Sequence, residues 1–407
     1  MVDTKLAIHG GTPVRANDKQ WPQWPVFDDT ERRGLLEVFD AGKWWFGEQI
    51  EKFEKAYAAF QDARYCVACA SGTSALEVAL RVLGVGHDDE VIVPPYTFIA
   101  TASAVMWVGA TPVFVDVDDS WNIDPDLVEA AITPRTRAII PVHFGGNIAD
   151  MDRLNAIAEK HGLAVLEDAC HSWGGKWKGK GTGALGIGGA FSFQFSKNIT
   201  AAEGGAIVSD GSDFAEGCRS VRNCGRGRTS GWYGHVRLGT NSRITELQAA
   251  LLNAQLARLE DQTRLREHNA RILDDGLAEI EGLTPQPGDD RMTRRPYHLY
   301  CLRIDPDKFG CSREQFIQAA KAEGLPIDAG YGCPLYQQPV FQNPPCEHDY
   351  TQYSCPVAED LCSRSGMWIF HSVLLGTESD MNDIVEIARK IKKHAAELNG
   401  GGSAPNT

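Results

Sequence analysis

The sequence predicts an α/β fold built on a mostly parallel sheet. Between about residues 65 and 210, short apolar runs alternate with segments whose apolar residues recur at helical spacing. Strands that alternate with helices pair in parallel, and the helices then cover both faces of the sheet. The predicted strands are 65–70, 90–94, 111–116, 137–142, 163–168, 190–194 and 206–209, and the predicted helices between them are 74–83, 100–108, 125–131 and 151–161.

A smaller α+β domain is predicted to follow a long amphipathic helix at 245–280, where leucines recur at helical spacing. A strand at 297–304 and helices at 312–323 and 379–398 come after it, the first of them opened by the capping residue Ser312. We therefore predict a large domain at residues 1–261, a small domain at 262–397 and a flexible, glycine-rich tail at 398–407.

Composition excludes some classes of partner. The chain has 407 residues and a formal net charge of -14, and it contains no basic run of the kind that nucleic acid requires. Its first residues lack the pattern of a secretory signal, and no apolar stretch is long enough to span a bilayer. These features predict a cytoplasmic protein that binds neither nucleic acid nor a membrane.

Two short motifs invite a function and are rejected. The pair Cys66 and Cys69 has C-x-x-C spacing, but no second pair completes a zinc site, so we interpret both as small buried hydrophobes and predict no metal. The 11 cysteines are scattered, which predicts free thiols. The segment 181–186 matches G-x-G-x-x-G, but it leads into a strand and not into a helix, so it is no dinucleotide fingerprint.

Lys197 is the first candidate catalytic residue. It follows the apolar strand predicted at 190–194, where the chain turns. A lysine on a packed turn loses solvation, which favours the neutral amine and makes it a nucleophile toward a carbonyl. Most lysines are solvated surface residues, so Lys197 gains weight only if other candidates converge on it.

Further candidates lie at the predicted carboxyl ends of other strands, where open parallel sheets bind ligands. Ser71, Gly72 and Thr73 join a strand to a helix and could cradle an anion, although plain helix capping explains them equally well. Asp168 ends a strand and could keep a pyridinium nitrogen protonated, or form a structural ion pair. His171 could contact or stack on a ring, although a lone histidine is more often simply packed.

These motifs together resemble the DegT/DnrJ/EryC1/StrS family of sugar aminotransferases. The resemblance rests on S-G-T-S-A-L at 71–76, E-D-A-C-H at 167–171 and S-F-Q-F-S-K at 192–197 with E-G-G-A at 203–206, and it spans nearly the whole chain. It implies fold-type I architecture, in which a large domain holds a mostly parallel seven-stranded sheet sandwiched by helices. It also implies pyridoxal 5'-phosphate as the cofactor, held by Lys197 as an internal aldimine.

The resemblance implies roles for the matching residues. Lys197 moves the proton and Asp168 pairs with the pyridine nitrogen. Cofactor binding is implied for Gly72, Thr73 and Ser192 at the phosphate, for Phe98 and His171 at the ring, and for Asn241 reaching the phosphate from a partner subunit. The last role implies a homodimer with shared active sites.

The sequence indicates the substrate less closely than it indicates the cofactor. Gln194, the segment 21–25, Trp44 with Trp45, and the segment 369–372 resemble the branch that acts on keto-cyclitols, which includes aminohydroxybenzoate synthase. We expect amino transfer from L-glutamine or L-glutamate to a keto-sugar or keto-cyclitol. A dehydrating or cyclising enzyme, a non-catalytic regulatory protein and a nicotinamide-dependent oxidoreductase stay open as alternatives. The acceptor pocket is expected near Trp44, Trp45, His143, Tyr233 and His235 and at the second subunit.

Overall fold

A seven-stranded sheet lies at the centre of the N-terminal part of the chain, in a computed structural model that describes residues 5–16, 19–344 and 347–399. The strands of the described chain are β1 (Tyr65–Cys69), β2 (Glu90–Val93), β3 (Thr111–Phe114), β4 (Thr136–Ile139), β5 (Ala164–Asp168), β6 (Lys176–Trp177), β7 (Lys180–Gly181), β8 (Gly188–Ser192), β9 (Gly205–Ser209), β10 (Leu283–Pro285), β11 (Met292–Arg294), β12 (Leu299–Ile304), β13 (Ile327–Asp328) and β14 (Gly366–Phe370).

The large sheet has the strand order β1-β9-β8-β5-β4-β2-β3. Its five strands from β8 to β3 pair in parallel, whereas β9 runs antiparallel to both of its neighbours. The seven strands predicted from the alternation of apolar runs are the seven strands of this sheet, so the predicted fold class is confirmed.

Helices cover the sheet and continue into the C-terminal part. They are α1 (Asp29–Ala41), α2 (Glu48–Phe60), α3 (Gly72–Val82), α4 (Ala100–Trp107), α5 (Pro125–Val128), α6 (Met151–His161), α7 (Ser212–Arg222), α8 (Glu246–Ala278), α9 (Pro306–Phe309), α10 (Arg313–Ala322), α11 (Pro339–Gln342), α12 (Pro356–Asp360), α13 (Glu378–Lys393) and α14 (Ala395–Asn399). One core cluster draws on β1, α3, β2 and α4, and a second packs α2 and the start of α8 against residues of β1, β8 and β9.

A second sheet forms in the C-terminal part, with the antiparallel order β10-β12-β14-β13. It shares a core cluster with α10, α13 and the end of α8. The predicted domain boundary at 261/262 falls within the continuous helix α8 and stays a prediction. The prediction of one helix at 379–398 is wrong, because α13 ends at Lys393 and a separate helix, α14, begins after His394. Of the predicted tail, residues 400–407 lie outside the described residues.

The part of the chain that the structure describes bears on membrane spans, metal sites and the C-x-x-C pair. No helix among these residues is both long and apolar enough to cross a membrane. Within the same residues, no group of three or more His, Cys, Asp or Glu side chains is arranged to hold a metal ion. Cys66 and Cys69 are both free and buried, and they pack into different core clusters, as residues three apart on a strand must.

The glycine-rich segment 181–186 binds a carboxylate of the protein itself. The backbone N–H groups of Gly183, Leu185 and Gly186 donate to the carboxylate of Glu167 over 2.6, 2.8 and 2.9 Å. His143 Nε2 lies 2.9 Å from the same carboxylate, and both side chains are fully buried. The amides that resembled a dinucleotide cradle therefore bind Glu167, which faces away from Asp168 as strand alternation predicts.

Candidate active site

The candidate residues converge at the carboxyl ends of the parallel strands. Asp168 is the last residue of β5, Ser192 is the last residue of β8, and α3 begins directly after β1. Lys197 follows β8 on the next turn. These side chains line one cavity of about 530 Å³, which is the size of a small-molecule site.

The start of α3 forms one wall of this cavity. Ser71 and Ser74 form a reciprocal capping box, so the capping interpretation of Ser71 is confirmed. The Thr73 hydroxyl takes no part in this box, and it lines the cavity together with Gly72. A Cβ atom on Gly72 would lie 2.8 Å from Ser192 Cβ and 2.9 Å from Cys170 Sγ, so the close approach of these elements requires glycine. The first residues of α3, Gly72 and Thr73, lie at this wall, and a helix N-terminus is an anion-binding arrangement.

Asp168 is buried and its orientation is fixed by hydrogen bonds. The Thr101 hydroxyl donates to Asp168 Oδ2 over 2.7 Å, and the Cys170 backbone N–H donates to Oδ1 over 3.2 Å. Thr97 Oγ1 lies 3.0 Å from Thr101 Oγ1 and extends this chain of hydroxyls. A carboxylate held in this way presents a fixed negative charge to whatever occupies the cavity.

Lys197 is the one amine among the described residues that line the cavity. Burial lowers the pKa of its amine below the ordinary lysine value, while the nearby Asp168 carboxylate acts in the opposite direction. Its Nζ lies 5.9 Å from the centre of the Trp173 ring. Lys197 is half-buried on this turn, and burial shifts the pKa of its amine in the direction that the sequence argument predicted.

Two histidines on the cavity wall have determined tautomers. His171 Nδ1 accepts the Gly145 backbone N–H over 3.3 Å, which places the proton on Nε2. Asn198 donates its amide N–H to the Pro296 carbonyl, so its Oδ1 accepts from His298 Nδ1 over 3.0 Å and leaves His298 Nε2 unprotonated.

The two rings are close to each other and to the lysine. Their centroids are 4.3 Å apart. Burial, and secondarily the positive charge of Lys197, lower the pKa of His171 well below the ordinary histidine value. Burial lowers the pKa of His298 in the same way, with His171 and Lys197 adding to the shift. Both rings are therefore neutral at neutral pH, one presenting a donor and the other an acceptor.

Known proteins are similar to this chain over most of its length. Residues 25–389 match the DegT/DnrJ/EryC1/StrS aminotransferase family. The chain belongs to this family. It is 39% identical over 376 residues to 3-amino-5-hydroxybenzoate synthase from Amycolatopsis mediterranei, covering 90% of this chain and 96% of the relative. It is 38% identical over 424 residues to L-glutamine:2-deoxy-scyllo-inosose aminotransferase from Micromonospora echinospora, covering 98% and 100%.

A solved structure agrees with the sequence relatives. The crystal structure of 3-amino-5-hydroxybenzoic acid synthase superimposes with a TM-score of 0.85 at 38% sequence identity, and the match covers 92% of this chain and 99% of that one. The DegT/DnrJ/EryC1/StrS fold and the aminotransferase class predicted from the motifs are therefore confirmed.

The structure brings most of the predicted family residues together. Seven of the eight line the cavity: Gly72, Thr73, Phe98, Asp168, His171, Ser192 and Lys197. Phe98 is 59% exposed although it is a large aromatic, so its ring is available at the cavity mouth. Asn241 is exposed and does not line the cavity of its own chain.

None of the five residues expected near the acceptor pocket lines the cavity of its own chain, and the contribution of a second subunit stays a prediction. His143 is fully buried against Glu167 on the other face of β5, because the chain turns inward after β4. Trp44, Trp45, Tyr233 and His235 do not line the cavity either. Sequence reasoning missed several residues that do, among them Thr97, His298, Tyr331 and Trp368. Glu203 and Phe370 also line the cavity, and they lie in the segments 203–206 and 369–372, which carried the resemblance but were given no role at the site. Gln194, which the sequence singled out only by its resemblance to one branch, also lines the cavity.

Proposed function

We propose that this chain is a pyridoxal-phosphate-dependent aminotransferase that moves an amino group from L-glutamine to a keto-cyclitol. The convergence of Lys197 and Asp168 in one cavity, beside the open start of α3, carries the proposal. The names of the curated relatives, which include glutamine and scyllo-inosose, support the choice of donor and acceptor. L-Glutamate and keto-sugars are the other substrates that the family resemblance implied.

The residues present fit the cofactor. The phosphate would be held by the amides at the start of α3, by Thr73 and by Ser192, which line the cavity together. Asp168 would face the pyridine nitrogen, the Nε2–H of His171 would donate to a ring oxygen, and Phe98 would cover the ring. Pyridoxal phosphate supplies an aldehyde that captures an amino nitrogen and a ring that accepts electrons.

Lys197 would perform the proton transfers. Its Nζ, whose pKa is lowered by burial, would take a proton from the carbon that bears the amino group of the donor and return it to the cofactor. Asp168 keeps a negative charge beside the ring throughout, and Thr101 prevents that carboxylate from rotating away. The second half of the exchange uses the same groups in reverse with the keto acceptor.

The absorbance spectrum of the purified protein tests this proposal. We expect a yellow protein that loses its colour on addition of L-glutamine and regains it with a keto-cyclitol such as 2-deoxy-scyllo-inosose. Bleaching by L-glutamate alone would move the donor to glutamate. A protein that stays colourless after added cofactor would contradict the proposal and would favour the regulatory alternative.

A second candidate is a dehydrating synthase, which the 3-amino-5-hydroxybenzoate synthase relative favours. The two functions give different products. Amino transfer exchanges a carbonyl oxygen for an amino group and keeps the ring hydroxyls, whereas an aromatising reaction loses water and creates ultraviolet absorbance. Mass spectrometry of the product from one keto-cyclitol incubation separates them.

We predict that Thr101→Val lowers kcat about ten- to a hundredfold, because a charge-assisted hydrogen bond to a buried carboxylate is worth about 1.5–3 kcal/mol. Valine keeps the shape of threonine and removes the hydroxyl that orients Asp168. Thr97→Val is the matched control, since it removes only the outer hydroxyl and should cost much less. The rate of glutamine-dependent bleaching measures both. Equal rates in the two variants would contradict the orienting role of Thr101.

We further propose that the protein is a homodimer in which Asn241 of each subunit completes the site of its partner. Asn241 is exposed and is not among the residues that line the cavity of its own chain, which supports this arrangement. The cytoplasmic location stays a prediction.

Hybrid dimers test the shared site. Lys197→Ala and Asn241→Asp should each be inactive alone, the second because its carboxylate would repel the phosphate. In a hybrid of the two, one site carries both changes and the other carries neither. An equal mixture should therefore recover roughly a quarter of wild-type activity, since half of the dimers are hybrids with one intact site each. Failure of the mixture to exceed its components, with subunit exchange verified by mass, would contradict a shared site.

A further inference from the structure

The turn that carries Lys197 is closed by its own hydrogen bonds. The Lys197 backbone N–H donates to the Gln194 carbonyl over 2.9 Å. The backbone N–H and the hydroxyl of Ser196 each donate to Gln194 Oε1 over 2.8 Å. These bonds leave the carbonyl oxygens of Phe195 and Ser196 pointing out of the turn.

Two residues from remote parts of the chain bind these carbonyls. Trp24 Nε1 donates to the Phe195 carbonyl over 2.8 Å, and His371 Nε2 lies 2.9 Å from the Ser196 carbonyl. The rings of Trp24 and His371 meet edge to face, with centroids 4.5 Å apart. They belong to the segments 21–25 and 369–372, which the sequence singled out separately and which the fold brings together against the lysine turn.

Arg266 on α8 fixes the tautomer of His371. Its guanidinium donates from Nη2 to His371 Nδ1 over 3.1 Å and from Nε to the His371 carbonyl over 3.3 Å. A guanidinium can only donate, so Nδ1 must accept and the proton lies on Nε2, where it reaches Ser196.

The charge state of the pair agrees with this assignment. Arg266 is fully buried, and no carboxylate pairs with it among the residues that the structure describes. Burial lowers the pKa of Arg266 to about 9, so it stays charged at neutral pH. Burial, and then the Arg266 charge, lower the pKa of His371 well below the ordinary histidine value, so that ring is neutral.

We propose that Trp24, His371 and Arg266 form a positioning unit for Lys197, which sets the direction in which the lysine side chain enters the cavity. The unit holds the two peptide groups directly before Lys197, and none of its three residues is among those that line the cavity. A nucleophile displaced by about 1 Å can lose two orders of magnitude in rate, so a fixed turn has a direct kinetic value. The inference rests on the proposed reaction of Lys197 with the cofactor aldehyde.

Two substitutions of His371 separate positioning from packing. His371→Gln places an amide N–H near the position of Nε2 and can still donate to Ser196. His371→Asn places its amide near Nδ1, so it can satisfy Arg266 but cannot reach the carbonyl. Both should lower the melting temperature. Trp24→Phe removes the other donor from a partly exposed side chain and keeps an aromatic ring against His371.

The decisive readout is the covalent capture of pyridoxal phosphate by the full-length protein after removal of the cofactor. Stopped-flow absorbance separates binding from the first-order step in which Lys197 attacks the aldehyde. We expect His371→Asn and Trp24→Phe to slow that step tenfold or more, and His371→Gln to stay within about threefold of wild type. The affinity for pyridoxine phosphate, which lacks the aldehyde, should not change, and kcat should fall with the capture rate while KM values hold.

The outcomes are distinct. Capture at the wild-type rate in both His371→Asn and Trp24→Phe would overturn the positioning unit while leaving the proposed function intact. Equal slowing by His371→Gln and His371→Asn would also overturn it, because loss of packing would then explain the effect. If His371→Asn does not fold, Trp24→Phe decides alone. A wild-type protein that captures no cofactor would instead refute the proposed function.

Discussion

Lys197→Ala is expected to abolish amino transfer while leaving the fold intact. The described cavity wall contains no second amine that could attack an aldehyde or carry the proton. Positioned proton transfer alone contributes about 10²- to 10⁴-fold, and the covalent role of the lysine adds to that loss. Steady-state turnover with glutamine and a keto-cyclitol, at matched melting temperature, measures the effect.

Small amines added to the Lys197→Ala protein sharpen this test. Methylamine or ethylamine should enter the space left by the lysine side chain and restore part of the bleaching rate, in proportion to amine concentration. Lys197→Arg, which keeps the positive charge but offers no nucleophile, is the matched control and should show no rescue. Substantial activity of Lys197→Ala without added amine would refute the assigned role.

Asp168→Ala is expected to have the second largest effect, a loss of at least about 10²-fold in kcat, the scale of removing one preorganised electrostatic partner from a transition state. Asp168 is the carboxylate that Thr101 and the Cys170 backbone hold in the cavity. Without it, nothing at that position would keep the ring nitrogen protonated, and the ring would accept electrons poorly.

A cofactor methylated at its ring nitrogen distinguishes this role from simple disruption. Such a ring carries a permanent positive charge and does not need a carboxylate to keep it charged. We expect it to restore much of the lost activity in Asp168→Ala and to give no gain in Lys197→Ala. Absence of any rescue, with the analogue shown to bind, would mean that Asp168 acts in another way.

Local patterns were sufficient for the fold class. Each strand of the large sheet is a short apolar run between turn residues, and the helices between the strands carry apolar residues on one side. The type and the order of these elements could therefore be predicted without knowledge of the tertiary contacts. The patterns missed the shortest elements and one helix boundary. Short strands such as β6 and β7, with two residues each, have no periodicity to detect. The break at His394 between α13 and α14 also left no signal in the pattern.

The residues of the candidate site also fall into those that the sequence predicted and those that it misplaced. Lys197, Asp168 and the start of α3 were visible because each sits directly at a strand end, where sequence position determines spatial position. His143 was misassigned because a loop residue after a strand can turn into either side of the sheet. Only the folded chain places its ring against Glu167 and away from the cavity.

The sequence by itself determined the seven-stranded sheet and the family, and it singled out Lys197 as the candidate lysine, because these depend on local periodicity and contiguous motifs. Only the tertiary structure decided that Glu167 takes up the glycine-rich amides, that His298 completes the cavity wall, and that Trp24 and His371 meet at the lysine turn. The last two residues are 171 and 175 positions from the carbonyls they bind. Contacts across such separations follow from how helices and sheets pack, and no local pattern encodes which distant side chain will donate a hydrogen bond to a given carbonyl.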